Sequence, residues 1–246
     1  MISFICPTKD RPDRHEHLWR QYVQQAVWPK ELCVGGDSER PYFYSTEKLT
    51  LGEKRNRLCR HASGDVIAHL DDDDYYAPNY AAHMLGKLAG FHFARLCHFR
   101  VYDERNSSTY ECDTLSGANG KLLGKRWSGV RVPAWLSKSS DALRFGYGFS
   151  YIYLRALWEQ VPFNTRLTLR EDVDFAKRCI RAGALVRQVN DGADLATHVV
   201  HGASTSTAFV TGPITRTVVR VAAGYSVGGG LPGLVFGHAV ERTLRP

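Results

Sequence analysis

Apolar and polar positions follow two rhythms along this chain. Ile2 to Cys6 is a short apolar run ended by Pro7 and the polar turn Thr8 to Asp13, which predicts a buried strand feeding a loop. Leu18, Tyr22 and Ala26 then recur at four-residue spacing, predicting an amphipathic helix that stops before Pro29. Glu31 to Val34 reads as a second strand, broken by Gly35-Gly36-Asp37-Ser38. In the next segment Leu51, Leu58 and Ala62 share one helical face, with Gly64 as the stop. Asp65 to Leu70 is again strand-like and runs directly into Asp71, Asp72, Asp73 and Asp74. Strands alternating with helices predict an α/β fold, a mostly parallel sheet covered on both faces. Ligands of such sheets gather beyond the carboxyl ends of the strands, so Thr8, Asp37 and the four aspartates are expected on one edge.

Further along, Ala94 to Tyr102 alternates as one more strand, followed by a polar turn at Asn106 to Ser108. Thr114 to Ser140 carries Lys121, Lys125, Arg126, Arg131 and Lys138, no acidic residue, and Trp127 and Trp135; it reads as loop. Glu171 to Ala182 returns to helix, with Phe175, Cys179 and Ala182 on one stripe and Gly183 ending it. No repeat interrupts this order.

Composition narrows the class. At 246 residues and 43% hydrophobic content, the chain fits one domain, residues 1–206, plus a basic, Gly-rich tail over 207–246. The net charge of +7 biases it mildly toward anionic partners such as phosphates, nucleic acid or lipid head groups. Its six cysteines contain no Cys-x-x-Cys pair, which argues against a zinc site and for reduced, buried thiols. The amino terminus lacks the basic start of a signal peptide, so a cytoplasmic protein is expected. Val221 to Val240 has no Lys, Arg, Asp or Glu and is long enough to span a bilayer. Its six glycines and Pro232 oppose a continuous helix, so a tail packed on the domain, or touching a partner or the membrane surface, is expected instead of a span.

The acidic run is the strongest chemical signal. Four adjacent carboxylates repel one another unless a cation or a cluster of donors compensates them. Carboxylates select hard ions, here Mg2+ or Mn2+, whose partly open coordination shell can bridge a nucleotide diphosphate. A solvated acidic turn is the bland alternative, but a position at the end of an apolar strand favours a ligand site. An EF-hand calcium loop fits poorly, because the required glycine and distal glutamate are missing.

Leu51-Gly-Glu-Lys-Arg-Asn56, followed by Ala62-Ser-Gly-Asp-Val-Ile-Ala-His-Leu-Asp71-Asp-Asp-Asp74, resembles the family 2 glycosyltransferases of GT-A fold. In that family a central strand ends in an Asp-x-Asp metal motif. Phe4 to Thr8 is similar to its first strand and Pro-Thr turn, involving Pro7 and Thr8, and Cys33 to Ser38 to its second strand with Asp37 as the nucleotide-base contact. Where the family usually has a first aspartate of a pair, this chain has Gly36. Gly146 to Phe163 resembles the acceptor-side segment, Glu171-Asp172 the Glu-Asp motif, and His198 to Ser206 the closing His-Gly segment.

The resemblance implies a Rossmann-like β/α/β nucleotide-binding sandwich and an inverting, metal-assisted sugar transfer from a nucleotide-sugar donor, UDP-sugar favoured. It gives Asp73 and His201 to the metal, Asp71 and Asp72 to the donor, and Asp172, beside Glu171, to the general base. Lys54 or Arg55 would add charge near the phosphates, and Asn56 would position the ribose or sugar. The basic segment 114–140 would close as a lid or meet an anionic acceptor: a glycan, a lipid-linked phosphate or nucleic acid. Competing readings are a nucleotidyltransferase, disfavoured by the glycine-free loop 8–13, a nucleic-acid-associated protein or DNA-modifying glycosyltransferase, and a silent relative.

Overall fold

The computed structural model describes residues 1–9, 11–36, 43–44, 49–105, 107–114, 145–190, 194–202 and 204. These lie in one compact unit, Met1–Ile214. Asp37, most of the basic segment 114–140 and the tail 207–246 lie outside the described residues.

The chain opens with β1 (Ile2–Pro7), α1 (His15–Gln24), β2 (Lys30–Gly36) and β3 (Phe43–Tyr44). It continues through α2 (Leu51–His61), β4 (Val66–His69), β5 (Tyr75–Tyr76) and α3 (Tyr80–Leu88). Next come β6 (Phe93–Leu96), β7 (His98–Asp103) and β8 (Ser108–Asp113). The remaining elements are β9 (Ile152–Leu154), α4 (Arg155–Gln160), α5 (Glu171–Arg181), β10 (Val186–Val189) and β11 (Ala196–Val200).

Seven strands form the main sheet in the order β10-β6-β9-β4-β1-β2-β3, parallel except for β9, which runs antiparallel to both β4 and β6. Strand β1 is buried on both faces, which is why it reads as an apolar run and not as an alternation. Its Phe4 packs in one core with Leu18 of α1 and Tyr80, Met84 and Leu88 of α3. Ile5 points the other way, into a second core with Leu58 of α2, Leu157 and Trp158 of α4 and Phe175 of α5. Helices therefore cover both faces, the three-layer α/β arrangement expected from the alternation of elements.

Four expectations are corrected in detail. Helix α1 ends at Gln24 and does not include Ala26: Gln25 is extended, Ala26 N–H donates to Pro78 O at 2.8 Å, and Lys30 Nζ takes up the carbonyls of Tyr22, Val23 and Gln25. The run 94–102 is two strands in two sheets. At Cys97 the chain leaves the main sheet, and β7 joins a four-stranded sheet in the order β5-β11-β7-β8. Of the polar turn expected at 106–108, Asn106 lies outside the described residues and Ser108 already begins β8, paired with Asp103 of β7. Finally, Gly64 is not a left-handed helix stop: it is needed because a Cβ there would lie 2.8 Å from Ser3 N, whereas Gly183 (φ +87°) is the left-handed stop that α5 requires.

All six cysteines are buried and none forms a disulfide. No helix among the described residues is long and apolar enough to cross a membrane.

Candidate active site

The carboxyl ends of β1 and β4 open into one cleft. It is lined by Pro7, Arg11, Arg55 and Asp71 to Asp73 together with Gly146 to Phe149, Asp172, His198 and Ser204. The sheet explains the convergence: Leu70 N–H donates to Ile5 O at 3.1 Å, so the acidic run starts beside the Pro7–Thr8 turn.

Within that run the four carboxylates have different surroundings. Asp72 is 1% exposed; its Oδ2 accepts from Thr8 Oγ1 at 2.6 Å and its Oδ1 pairs with Arg11 Nη2 at 3.2 Å. Asp73 Oδ2 accepts from Arg11 Nη1 at 2.6 Å and lies 3.0 Å from His201 Nε2. Burial pushes the Asp73 pKa up, but the His201 and Arg11 hydrogen bonds pull it below the usual carboxylate range. Asp74 faces away from this pair: its Oδ1 accepts from Val199 N–H at 2.7 Å and lies 2.9 Å from His198 Nδ1. Asp74 thus ties the acidic turn to β11, and the imidazole of His198 is engaged there. Asp71 differs again, since burial, opposed by Arg55 and reinforced by the other aspartates, raises it to about 7.

Arg55, from α2, is a buried cation at the floor of the cleft. Its Nε lies 3.4 Å from Glu171 Oε1, and its charge acts on Asp71 and Asp172 as well. It also contacts the ring of His69, whose Nδ1 lies 2.6 Å from Gly148 O, and whose pKa burial and Arg55 drive well below normal. His69 is therefore neutral. Glu171, 4% exposed, is pushed up to about 8 by burial and by Asp172, with Arg55 opposing.

Asp172 sits in the first turn of α5. Both oxygens accept main-chain hydrogens, Oδ2 from Gly148 at 3.0 Å and Oδ1 from Val173 at 2.7 Å. Gly148 is required by this approach, because a Cβ there would lie 2.8 Å from Asp172 Cβ. Arg170, directly before the helix, is held at φ 64°, in the left-handed region that a non-glycine residue adopts at a cost of order 1 kcal/mol.

The structure brings Pro7, Arg55, Asp71, Asp72, Asp73 and Asp172 to the cleft wall and puts His201 behind Asp73. It separates three others. Lys54 Nζ donates to Thr8 O at 2.9 Å and Thr8 gives its hydroxyl to Asp72, so both brace the turn after β1. Asn56 is buried, 2% exposed. Its Oδ1 accepts from Trp158 Nε1 and Phe163 N–H, both at 2.9 Å, and its Nδ2 donates to Phe163 O at 2.8 Å, which ties both ends of the amide to the scaffold. Arg11 was missed by sequence reasoning, hidden in a loop read only as polar; a cation just past a strand end that faces an acidic run was the available signal.

Whether these residues suit a divalent ion rests on two observations. Asp71 Oδ1 is buried at the cleft with no hydrogen-bond partner among the described residues, and Asp73 Oδ2 and His201 Nε2 converge. Among the described residues no three His, Cys, Asp or Glu side chains enclose a metal. The set fits an ion held by few protein ligands, with the rest of its shell given to phosphate oxygens and water, as Mg2+ and Mn2+ are held at nucleotide sites.

Residues 23–133 match the family model described as Glycosyl transferase family 2; the segment contains the acidic run but not Asp172 or His201. No curated protein matches the sequence. Among solved structures, the fold is similar to mannosyltransferase PcManGT from Pyrobaculum calidifontis, in complex with GDP-Man and Mn2+, with TM-score 0.57 and 14% identity over 82% of this chain and 58% of that one. It is equally similar to S. aureus TarS 1-349 in complex with UDP-GlcNAc, with TM-score 0.57 and 16% identity over 85% of this chain and 61% of that one. The chain thus spans less than two thirds of the length of either, and at these identities the likeness is one of fold. Residues 23–133, less than half of the chain, are thus similar to family 2 glycosyl transferases, and the fold is the GT-A fold that PcManGT and TarS share.

Proposed function

We propose that the protein is an inverting glycosyltransferase that moves a sugar from a nucleoside-diphosphate sugar, UDP-sugar favoured, to an acceptor nucleophile. The observation that carries this reading is that Asp71 to Asp73 and Asp172 line the same cleft. Breaking the bond between the anomeric carbon and the diphosphate builds negative charge on the leaving group, and the acceptor must lose a proton. Two separate groups of residues are available for these tasks.

Asp73 and His201 would hold Mg2+ or Mn2+, which when bound supplies Lewis-acid stabilisation of the diphosphate. Asp71, with a free oxygen at the cleft wall, serves the donor ribose or sugar. Asp172 takes the acceptor proton, oriented by the Gly148 and Val173 amides. Attack from the face opposite the diphosphate gives inversion. Arg55 and Glu171 do not touch the acceptor in this scheme; they fix the electrostatics around Asp71 and Asp172. A cytoplasmic protein, peripheral at the membrane if its acceptor is lipid-linked, accommodates the same chemistry.

A thermal-shift panel of UDP, GDP, dTDP and CMP with and without Mn2+ tests the donor site. A ligand at 100 times its dissociation constant stabilises the folded state by about 2.7 kcal/mol. UDP with Mn2+ is expected to give such a shift in the wild type and none in Asp73→Ala. The absence of any nucleotide response in the wild type would sink the reading.

A further inference from the structure

Arg11 occupies a place that the proposed chemistry requires for another cation. Its guanidinium forks across two neighbouring carboxylates, Nη1 at 2.6 Å from Asp73 Oδ2 and Nη2 at 3.2 Å from Asp72 Oδ1. Asp73 Oδ2 is the same atom that lies 3.0 Å from His201 Nε2. A metal–carboxylate bond is about 2.1 Å long, so a dication on either oxygen of Asp73 would stand within a few ångströms of the Arg11 guanidinium and repel it. Withdrawal of Arg11 relieves that repulsion.

The surroundings allow that withdrawal. The Arg11 side chain is 28% exposed, whereas Asp72 is 1% exposed and keeps its second partner, Thr8 Oγ1 at 2.6 Å. Arg11 also lines the cleft, together with Pro7 and Asp71 to Asp73. A diphosphate in that cleft offers the guanidinium paired oxygens, for which an Arg fork is well suited.

We infer that Arg11 is a built-in counter-cation that latches Asp73 when no dication is bound and passes to the donor diphosphate on binding, so that nucleotide and divalent cation bind cooperatively. The inference rests on the proposed donor site and assigns Arg11 a positioning role in it. By linkage, Mn2+ and UDP tighten one another by the same factor, and typical couplings of this kind are about 5- to 150-fold.

The test measures Mn2+ affinity from the signal of free Mn2+ in electron paramagnetic resonance, with and without UDP. The wild type is expected to bind Mn2+ at least ~5-fold more tightly when UDP is present. Arg11→Gln is expected to bind Mn2+ alone more tightly than the wild type and to lose most of the coupling, and adding Asp73→Asn should remove that gain. Equal Mn2+ affinity of the wild type with and without UDP overturns the latch, and this needs no variant to fold. So does an Arg11→Gln protein whose Mn2+ affinity without UDP is unchanged or weaker. Both outcomes leave the donor site intact so long as UDP still binds; failure of UDP and Mn2+ together to bind the wild type removes the donor site itself.

Discussion

Asp172 is held by main-chain amides on both oxygens, so its direction is set by the backbone of residues 148 and 173 and not by another side chain. Burial raises its pKa above the ordinary aspartate value, with the Val173 amide, Arg55 and the Gly148 amide opposing. Because a base must be ionised, a raised pKa moves loss of activity to higher pH. The acid limb of kcat/KM is therefore expected above the usual aspartate range of about 4; a profile flat down to that pH would contradict the assignment. Asp172→Asn should retain nucleotide and Mn2+ binding while turnover falls on the order of 10²-fold or more, and near-normal transfer would rule Asp172 out as the base. Gly148→Ala separates geometry from chemistry, since the added Cβ would press on Asp172 Cβ at 2.8 Å. A fall in turnover with unchanged UDP affinity is expected in steady-state kinetics and nucleotide titration.

At the scale of elements, Asn56 shows how a motif residue can belong to the scaffold. It joins α2 to α4 and to the segment at Phe163 through three hydrogen bonds. Asn56→Ala would leave the Trp158 and Phe163 N–H groups buried without their acceptor, at about 1–3 kcal/mol each. Denaturant unfolding should register a loss of about 2 kcal/mol or more, with UDP affinity of the folded protein unchanged; a selective loss of UDP binding would return Asn56 to the donor site. Strand β1, helix α2, strand β4 and helix α5 were legible in the sequence because each has an unbroken apolar run or a helical stripe bounded by a stop. Helix α3 carried the same signal in Tyr80, Met84 and Leu88 and was overlooked. The division at Cys97 was not legible. Both β6 and β7 bury residues, and nothing local distinguishes a strand buried on two faces that ends from a strand buried on one face that begins.

Over the whole molecule, a net charge of +7 coexists with a cleft lined by carboxylates, so the excess of positive charge lies elsewhere on the chain. An anionic acceptor met by Lys121, Lys125 and Arg126 would make transfer salt-dependent, because exposed charges are screened within roughly 10 Å at 0.1 M salt. Reversing these three charges should weaken acceptor affinity and its salt dependence while leaving UDP binding intact; no change in either acceptor property would dismiss an anionic acceptor. The sequence by itself determined the α/β class, the parallel core and the placing of Asp71 to Asp74 at a strand end, because apolar periodicity and strand order are local properties that burial enforces. Tertiary structure alone decided which carboxylate faces which cation. The partners of Asp73 and Asp74, His201 and His198, are 128 and 124 residues distant along the chain. Arg11, Lys54 and Asn56 are ordinary polar residues until the sheet sets one at the cleft and the other two behind it. The sorting of four identical side chains into distinct roles is made by desolvation and through-space charge, which act over ångströms and not over sequence.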